Sequence, residues 1–302
     1  SIVNKSFSER RFLSEEESLD KNACFEAAAE VASSEKDFQY LYYSNPNTWG
    51  PKFEKDLKQR VIPKKCGFVA VSESHLEGSK LDRAYKVIRK QMHYDAAFAR
   101  ARRNEDGKGT HGGSLLMWQE HLDTVSMAPH LDRRRHPLKG VGEDWIAIIW
   151  RTAKQSILMI VTYKQDSIGY SGANVQKFAD IGMCIRHYAM PFIVIGDWNM
   201  EPADLPQRWL DKIGGMVLTP LGLSGTCTLG PPKMYDYVVH SRSLQGVLEL
   251  YPDLESETRP HISLILQIKK QPRKLLARTL VGRKEFPIVE YAEQFKQEKE
   301  KV

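Results

Sequence analysis

Residues 191–202 read Pro191-Phe192-Ile193-Val194-Ile195-Gly196-Asp197-Trp198-Asn199-Met200-Glu201-Pro202. Phe192 to Ile195 is a short apolar run rich in β-branched residues, which predicts a buried strand; the glycine and then the proline mark where it ends. In extended backbone, residues two apart project to the same side, so Asp197 and Asn199 can reach one atom together. An Asp can position or deprotonate a water, and an Asn amide can donate to a phosphoryl oxygen. Taken alone, the same residues make an Asx-rich turn after a strand.

On either side of this segment, similar short runs recur at Tyr40–Tyr43, Gly67–Val71, Ser114–Trp118, Trp145–Trp150, Ile157–Tyr163, Tyr235–Val239 and Ile262–Ile268. Eight such strands predict a sheet-rich core. Pro51–Val61, Ser79–Arg103 and Gly172–Ala189 read as helices. The last carries a broken apolar stripe of Val175, Phe178, Ala179, Ile181 and Met183. Periodicity leaves open whether these strands and helices form one doubly wound sheet or two sheets covered by helices.

The chain has 302 residues, 41% hydrophobic and 27% charged, which excludes a disordered or fibrous protein. Its longest apolar runs are too short for a membrane span. A polar, helix-prone arm is expected over 1–36, one domain over 37–269, and a second, basic-to-charged arm over 270–302, with a helix that docks on the core or on a protein partner. The net charge of +6 is concentrated in Arg100-Ala101-Arg102-Arg103, in Arg133-Arg134-Arg135-His136 and in Lys269 to Lys274. Solvated loops would account for such clusters, and so would a polyanionic partner such as nucleic acid. Cysteines 24, 66, 184 and 227 show no zinc or redox spacing, so a reducing compartment is the default.

Other predicted strands also end in polar residues. Phe68-Val69-Ala70-Val71-Ser72-Glu73 delivers a carboxylate of the kind that holds a hard cation such as Mg²⁺. Tyr40 to Tyr43 runs into Ser44-Asn45-Pro46-Asn47, Tyr235-Asp236 opens a strand, and Arg259-Pro260-His261 precedes the last one. An Asp beside a His would fix the tautomer and stabilise the imidazolium.

In this order the pieces resemble the endonuclease/exonuclease/phosphatase superfamily, particularly its apurinic-type and retroelement-type endonucleases, from about Phe38 to Ile268. Asn45 is similar to the family's first-strand Asn, and Glu73 to the metal-binding Glu of its Gln-Glu-Thr segment. Tyr163 resembles the Tyr of Val-Tyr-x-Pro, and Asp197 with Asn199 the Gly-Asp-Phe-Asn motif. Asp236 resembles the Asp of Ile-Asp-Tyr, which orients the catalytic His; His261 matches the His of Ser-Asp-His. Gly112-Gly113 looks like the family's Gly-Gly-strand element.

The resemblance implies an α+β fold, a four-layer α/β/β/α sandwich of two packed mixed sheets. It also implies one-step phosphodiester hydrolysis with Mg²⁺ or Mn²⁺ on Glu73. In that scheme Asp197 prepares the water, Asn45, Asn199, Tyr163 and His261 stabilise the phosphoryl oxygens, and Asp236 orients His261. Arg100, Arg102, Arg103, Arg133, Arg134 and Arg135 would bind nucleic acid. Four departures bear on this: Pro260 stands where the family has an Asp, Asn47 where apurinic-type members have an acid, Ser72 replaces Gln, and Lys164-Gln165 replaces a small-Pro step. Two fewer carboxylates predict weaker metal binding. Two functions are therefore expected as alternatives: a metal-dependent nuclease, or a pseudoenzyme whose fold is retained to bind nucleic acid within a nucleoprotein assembly.

Overall fold

The computed structural model describes residues 38–104, 108–126 and 136–269. The arms expected at 1–36 and 270–302, and the cluster Arg133-Arg134-Arg135, lie outside the described residues. The two packed sheets expected from the resemblance are present. The first sheet is built from β1 (Phe38–Ser44), β2 (Phe68–Val71), β3 (Tyr94–Ala99), β6 (Ser114–Gln119), β14 (Leu248–Asp253) and β15 (Ser263–Lys269), in the order β14-β15-β1-β2-β6-β3. The second contains β7 (Thr124–Ser126), β9 (Trp145–Arg151), β10 (Ser156–Tyr163), β11 (Phe192–Asp197), β12 (Gly215–Leu218) and β13 (Asp236–Ser241), in the order β12-β13-β11-β10-β9-β7, with the short β8 (Val141–Gly142) beside β9. A separate ribbon pairs β4 (Arg102–Arg103) with β5 (Thr110–His111).

Side-chain alternation along the strands builds the layers. Leu41, Tyr43, Phe68, Ala70, Ile193, Ile195, Leu264 and Leu266 fill the core between the sheets. Their neighbours Tyr42, Val69, Val71 and Ile265 face outward under helices α1 (Pro51–Gln59), α2 (Val61–Lys65) and α3 (Gly78–Val87). Phe192 and Val194 face outward under α4 (Gly172–Tyr188) and α5 (Gln207–Ile213). Because both faces are covered, strands such as β11 are buried at every position and read as continuous apolar runs.

Each sheet contains one parallel pair, β1 with β2 and β10 with β11, joined across helices. Ligands in such arrangements gather beyond the carboxyl ends of the parallel strands. Asn45, Glu73, Tyr163 and Asp197 stand at or just after those four ends.

Three expectations need correction. The helix expected over Ser79–Arg103 stops at Val87, passes through one wide turn at Ile88–Met92, and gives way to β3 and β4. Ala96, Ala97 and Ala99 favour helix locally, but pairing with β6 and burial on both faces override that propensity. The helix expected over Pro51–Val61 is two helices, because Arg60 is extended. In α4 the buried stripe is Phe178, Ile181, Cys184 and Ile185, whereas Val175 and Met183 are exposed.

Candidate active site

At the carboxyl ends of the parallel pairs the two sheets bring their polar residues together. Asn45, fully buried just after β1, donates through Nδ2 to Glu73 Oε2 at 3.2 Å and to Asp197 Oδ2 at 3.0 Å. Its Oδ1 accepts the Asn47 backbone N–H at 3.0 Å, which sets the amide so that its donors face the two carboxylates. The side chain of Asn47 itself is exposed.

Asp197 and Asp236 are directly opposed across β11 and β13, a pairing of like charges that disfavours the sheet unless it is offset. The offset comes from the other sheet. His261 donates through Nδ1 to Asp236 Oδ2 at 2.7 Å, and its Nε2 lies 3.9 Å from Asp197 Oδ2. Tyr43 donates its hydroxyl to Asp236 Oδ1 at 2.8 Å. Thr226 Oγ1 accepts the backbone N–H groups of Tyr235 and Asp236, which fixes where β13 begins.

Electrostatics follow from this packing. For His261, burial is the largest single influence and opposes charge, but Asp236 and then Asp197 outweigh it and raise the imidazole to about 10. Burial, followed by the neighbouring Asp236, holds the Asp197 carboxyl well above its usual range. Burial and then the Glu73 carboxylate push the Tyr163 phenol upward. The site thus retains protons that the same groups would release in water.

Asn199 completes the turn after β11. Its backbone N–H donates to Asp197 Oδ1, and its amide donates to Lys164 O and Asp197 Oδ2. Glu73, His75, Asn47 and Asn199 all have φ between 48° and 56°, in the left-handed region. For Glu73 and His75 this costs of order 1 kcal/mol or more each, and such strain collects at functional sites. The structure holds the Glu73 loop in place through Gly112 and Gly113, whose carbonyls accept the His75 and Ser74 N–H groups at 3.0 Å. A Cβ on Gly112 would fall 2.2 Å from Asp144 Oδ1, and one on Gly113 2.9 Å from both Ser74 Oγ and the Ala101 amide.

Asp197, Asp236 and His261 offer ligand atoms within 4.8 Å of one another, and all three are buried. Glu73 adds a carboxylate across the Asn45 bridge. Carboxylate oxygens of this kind suit a hard divalent cation, and such an ion would compete with Asn45 for Glu73 and Asp197. Of the described arginines in the basic clusters, Arg102 pairs with Glu143 and buried Asp144, and Arg103 with Glu77. Arg100 is half-buried, with Nε and Nη2 lacking a hydrogen-bond partner. Tyr43, Thr226 and His75, whose Nε2 lies 3.6 Å from Glu73 Oε1, were not distinguishable in sequence from ordinary strand and turn residues.

Two mixed sheets packed face to face, with helices outside and a carboxylate-rich cluster at the ends of both parallel pairs, define the endonuclease/exonuclease/phosphatase class of fold. Three solved structures share it. The endonuclease domain of TRAS1, a telomere-specific non-LTR retrotransposon, superposes with a TM-score of 0.58 at 12% identity, over 78% of this chain and 100% of that domain. The AP endonuclease LMAP from Leishmania major gives 0.56 at 11%, over 80% and 91%. The human Nocturnin catalytic domain gives 0.51 at 12%, over 77% and 93%. No family model matches the sequence, and no curated protein matches it significantly.

Proposed function

We propose that the chain is a divalent-metal-dependent phosphodiesterase acting on nucleic acid. The observation that carries this reading is the convergence of Glu73, Asp197, Asp236 and His261, drawn from both sheets, around the buried Asn45 amide. The fold shared with a retrotransposon endonuclease and an AP endonuclease supports the substrate class.

In this reading Glu73, with Asp197, would hold Mg²⁺ or Mn²⁺, which when bound withdraws charge from a phosphate oxygen. Asp197 orients a water and takes its proton as the water oxygen attacks phosphorus and the phosphorus–oxygen bond to the leaving strand breaks. His261 is positioned as the imidazolium donor: Asp236 and Tyr43 fix Nδ1 and the ring plane, leaving Nε2 to donate to a phosphoryl oxygen. Tyr163 and Asn45 line the same end, and Asn199 braces Asp197 against the Lys164 carbonyl.

The binding-only reading draws on Pro260 and Asn47, positions that lack the carboxylates of the resembling enzymes. One experiment separates the two: labelled single- and double-stranded DNA and RNA incubated with the full chain over a range of Mg²⁺ and Mn²⁺ concentrations. Hydrolysis requires metal-dependent cleavage, and binding without cleavage at any concentration overturns it. The pH profile adds a second readout. Cleavage should fall as pH rises through about 10, where His261 loses its proton.

A further inference from the structure

A cleft of about 300 Å³ opens beside the candidate site, sharing Asn199 with it and bounded by Tyr170, Tyr235, Lys233, Glu201 and Asp204. Its two aromatic rings are held differently. Tyr170 is 48% exposed, yet its ring is backed edge-on by buried Phe178 at 5.2 Å and 67°. It is the solvent end of an aromatic stack that continues through Phe178 to Trp209 and Trp198. Tyr235 immediately precedes Asp236, and its backbone is fixed by Thr226 Oγ1 on one side and by the Trp198 N–H on the other. Lys233 Nζ stands 5.5 Å from the Tyr235 ring centre.

The acidic wall is also anchored: Glu201 Oε1 accepts the Met234 backbone N–H at 3.1 Å, tying the loop after β11 to the segment before β13. Two carboxylates face one ammonium in this cleft, so a phosphate group is repelled from it. A neutral planar ring bearing N–H donors is favoured instead, since aromatic faces stack on it and carboxylate oxygens accept from it. Asn199, common to the cleft and the site, touches Asp197 Oδ2 at 3.0 Å.

We infer that this cleft is a nucleobase subsite, taking an amine-bearing base (adenine, cytosine or guanine) of the nucleotide next to the phosphate held at Asp197. The inference rests on the proposed nucleic-acid substrate and adds what the phosphate cluster cannot supply, a contact that depends on the base. Thymine and uracil, whose one ring N–H is flanked by two carbonyl oxygens and which lack an exocyclic amine, meet Glu201 and Asp204 less favourably.

The test is a binding cycle in EDTA, where no turnover occurs, using the full chain and short single-stranded oligonucleotides carrying 2-aminopurine at successive positions. One position should be quenched on binding. Replacing that base with a base-free tetrahydrofuran should weaken binding about tenfold, the usual size of one stacked base. Tyr170→Ala should remove the quenching and make the base-free and base-bearing oligonucleotides bind alike, whereas Tyr170→Phe should keep both effects. Glu201→Gln with Asp204→Asn should erase the disadvantage of thymine at that position. Equal binding of base-free and base-bearing oligonucleotides by the parent protein, or a base effect that survives Tyr170→Ala, overturns the inference. Cleavage is scored separately with Mn²⁺, so its absence would defeat the hydrolytic reading without altering what the binding cycle says about the base subsite.

Discussion

Two buried polar clusters lie side by side in this fold, and they solve the problem of buried charge in opposite ways. In the first, Glu73, Asp197 and Asp236 converge with no lysine or arginine paired to them among the described residues, His261 standing between the two aspartates and His75 beside Glu73. In the second, Asp144 and Glu143 meet Arg102 and Lys177, two charges of each sign. Asp144 Oδ2 accepts Lys177 Nζ at 2.6 Å and Arg102 Nη2 at 2.9 Å, while Oδ1 accepts the Gly113 N–H at 2.9 Å. Balance marks a structural tie, which here fastens α4 and the β4–β5 ribbon to the turn before β9. Acidic excess, kept at the cost of raised proton affinity, marks a cluster suited to an external cation or phosphate chemistry.

The difference between the clusters is most exposed at Asp197. Asp197→Ala should lower single-turnover cleavage by about three orders of magnitude or more, with oligonucleotide affinity nearly unchanged, because backbone binding is spread over other groups. Comparable turnover by mutant and parent would put the chemistry elsewhere. In the balanced cluster the same kind of truncation should register as stability instead. Asp144→Ala leaves the buried Lys177 ammonium without its carboxylate, while Arg102 keeps only Glu143, and should cost about 3–5 kcal/mol in denaturant unfolding. Replacing Asp144 and Lys177 together with apolar residues should cost less than the single change.

Lys164 adds a third case, since it belongs to neither cluster. It is fully buried, its Nζ has no hydrogen-bond partner among the described residues, and it faces the Phe178 ring at 4.4 Å. Burial, and then repulsion from Lys177, depress its pKa well below the usual lysine value. A lysine with a depressed folded pKa binds more protons when unfolded, so its penalty is present at neutral pH and shrinks as pH rises toward the ordinary lysine range. Lys164→Met should therefore stabilise the protein by about 1–3 kcal/mol at pH 7, the scale of an unsatisfied buried donor, and by less at pH 10. An unfolding difference that is independent of pH would show that the ammonium is not neutral in the fold.

The smallest effect expected is at Pro260, beside His261. Pro260→Asp adds a carboxylate to the acidic cluster and should reduce the Mg²⁺ needed for half-maximal cleavage several-fold. If the variant folds and its metal dependence matches the parent's, position 260 contributes nothing to cation binding.

Much of the fold could be read from residues 191–202 and similar runs, because a strand covered on both faces leaves an unmistakable apolar signature. Asp197, Asn199, Asp236 and His261 were visible for a related reason: each sits where such a run starts or stops. Other parts were hidden by competing physics. Tyr94–Ala99 carries alanines that favour helix, and only its partner β6 makes it a strand. Leu248–Asp253 contains Pro252, which argues against a strand, yet β14 lies at the sheet edge, where a missing N–H is tolerated. The hydroxyl of Tyr43 reaches Asp236 across 193 residues, and Lys177 reaches Asp144 from a different element. Contacts of that range leave no periodic trace in sequence.

The pairing of β1 with both β2 and β15 has a consequence for how the chain is made. β1 lies inside its sheet, but the strand that covers one of its edges is the last of the described strands to be synthesised. During translation, Phe38–Ser44 therefore waits with an open hydrogen-bonding edge until residues 263–269 emerge, and such edges recruit wrong partners. His261, just ahead of that final strand, arrives at the same moment. A nascent chain should gain its sheet closure and its candidate catalytic imidazole in one late step, with slow, high-contact-order folding setting when either becomes available.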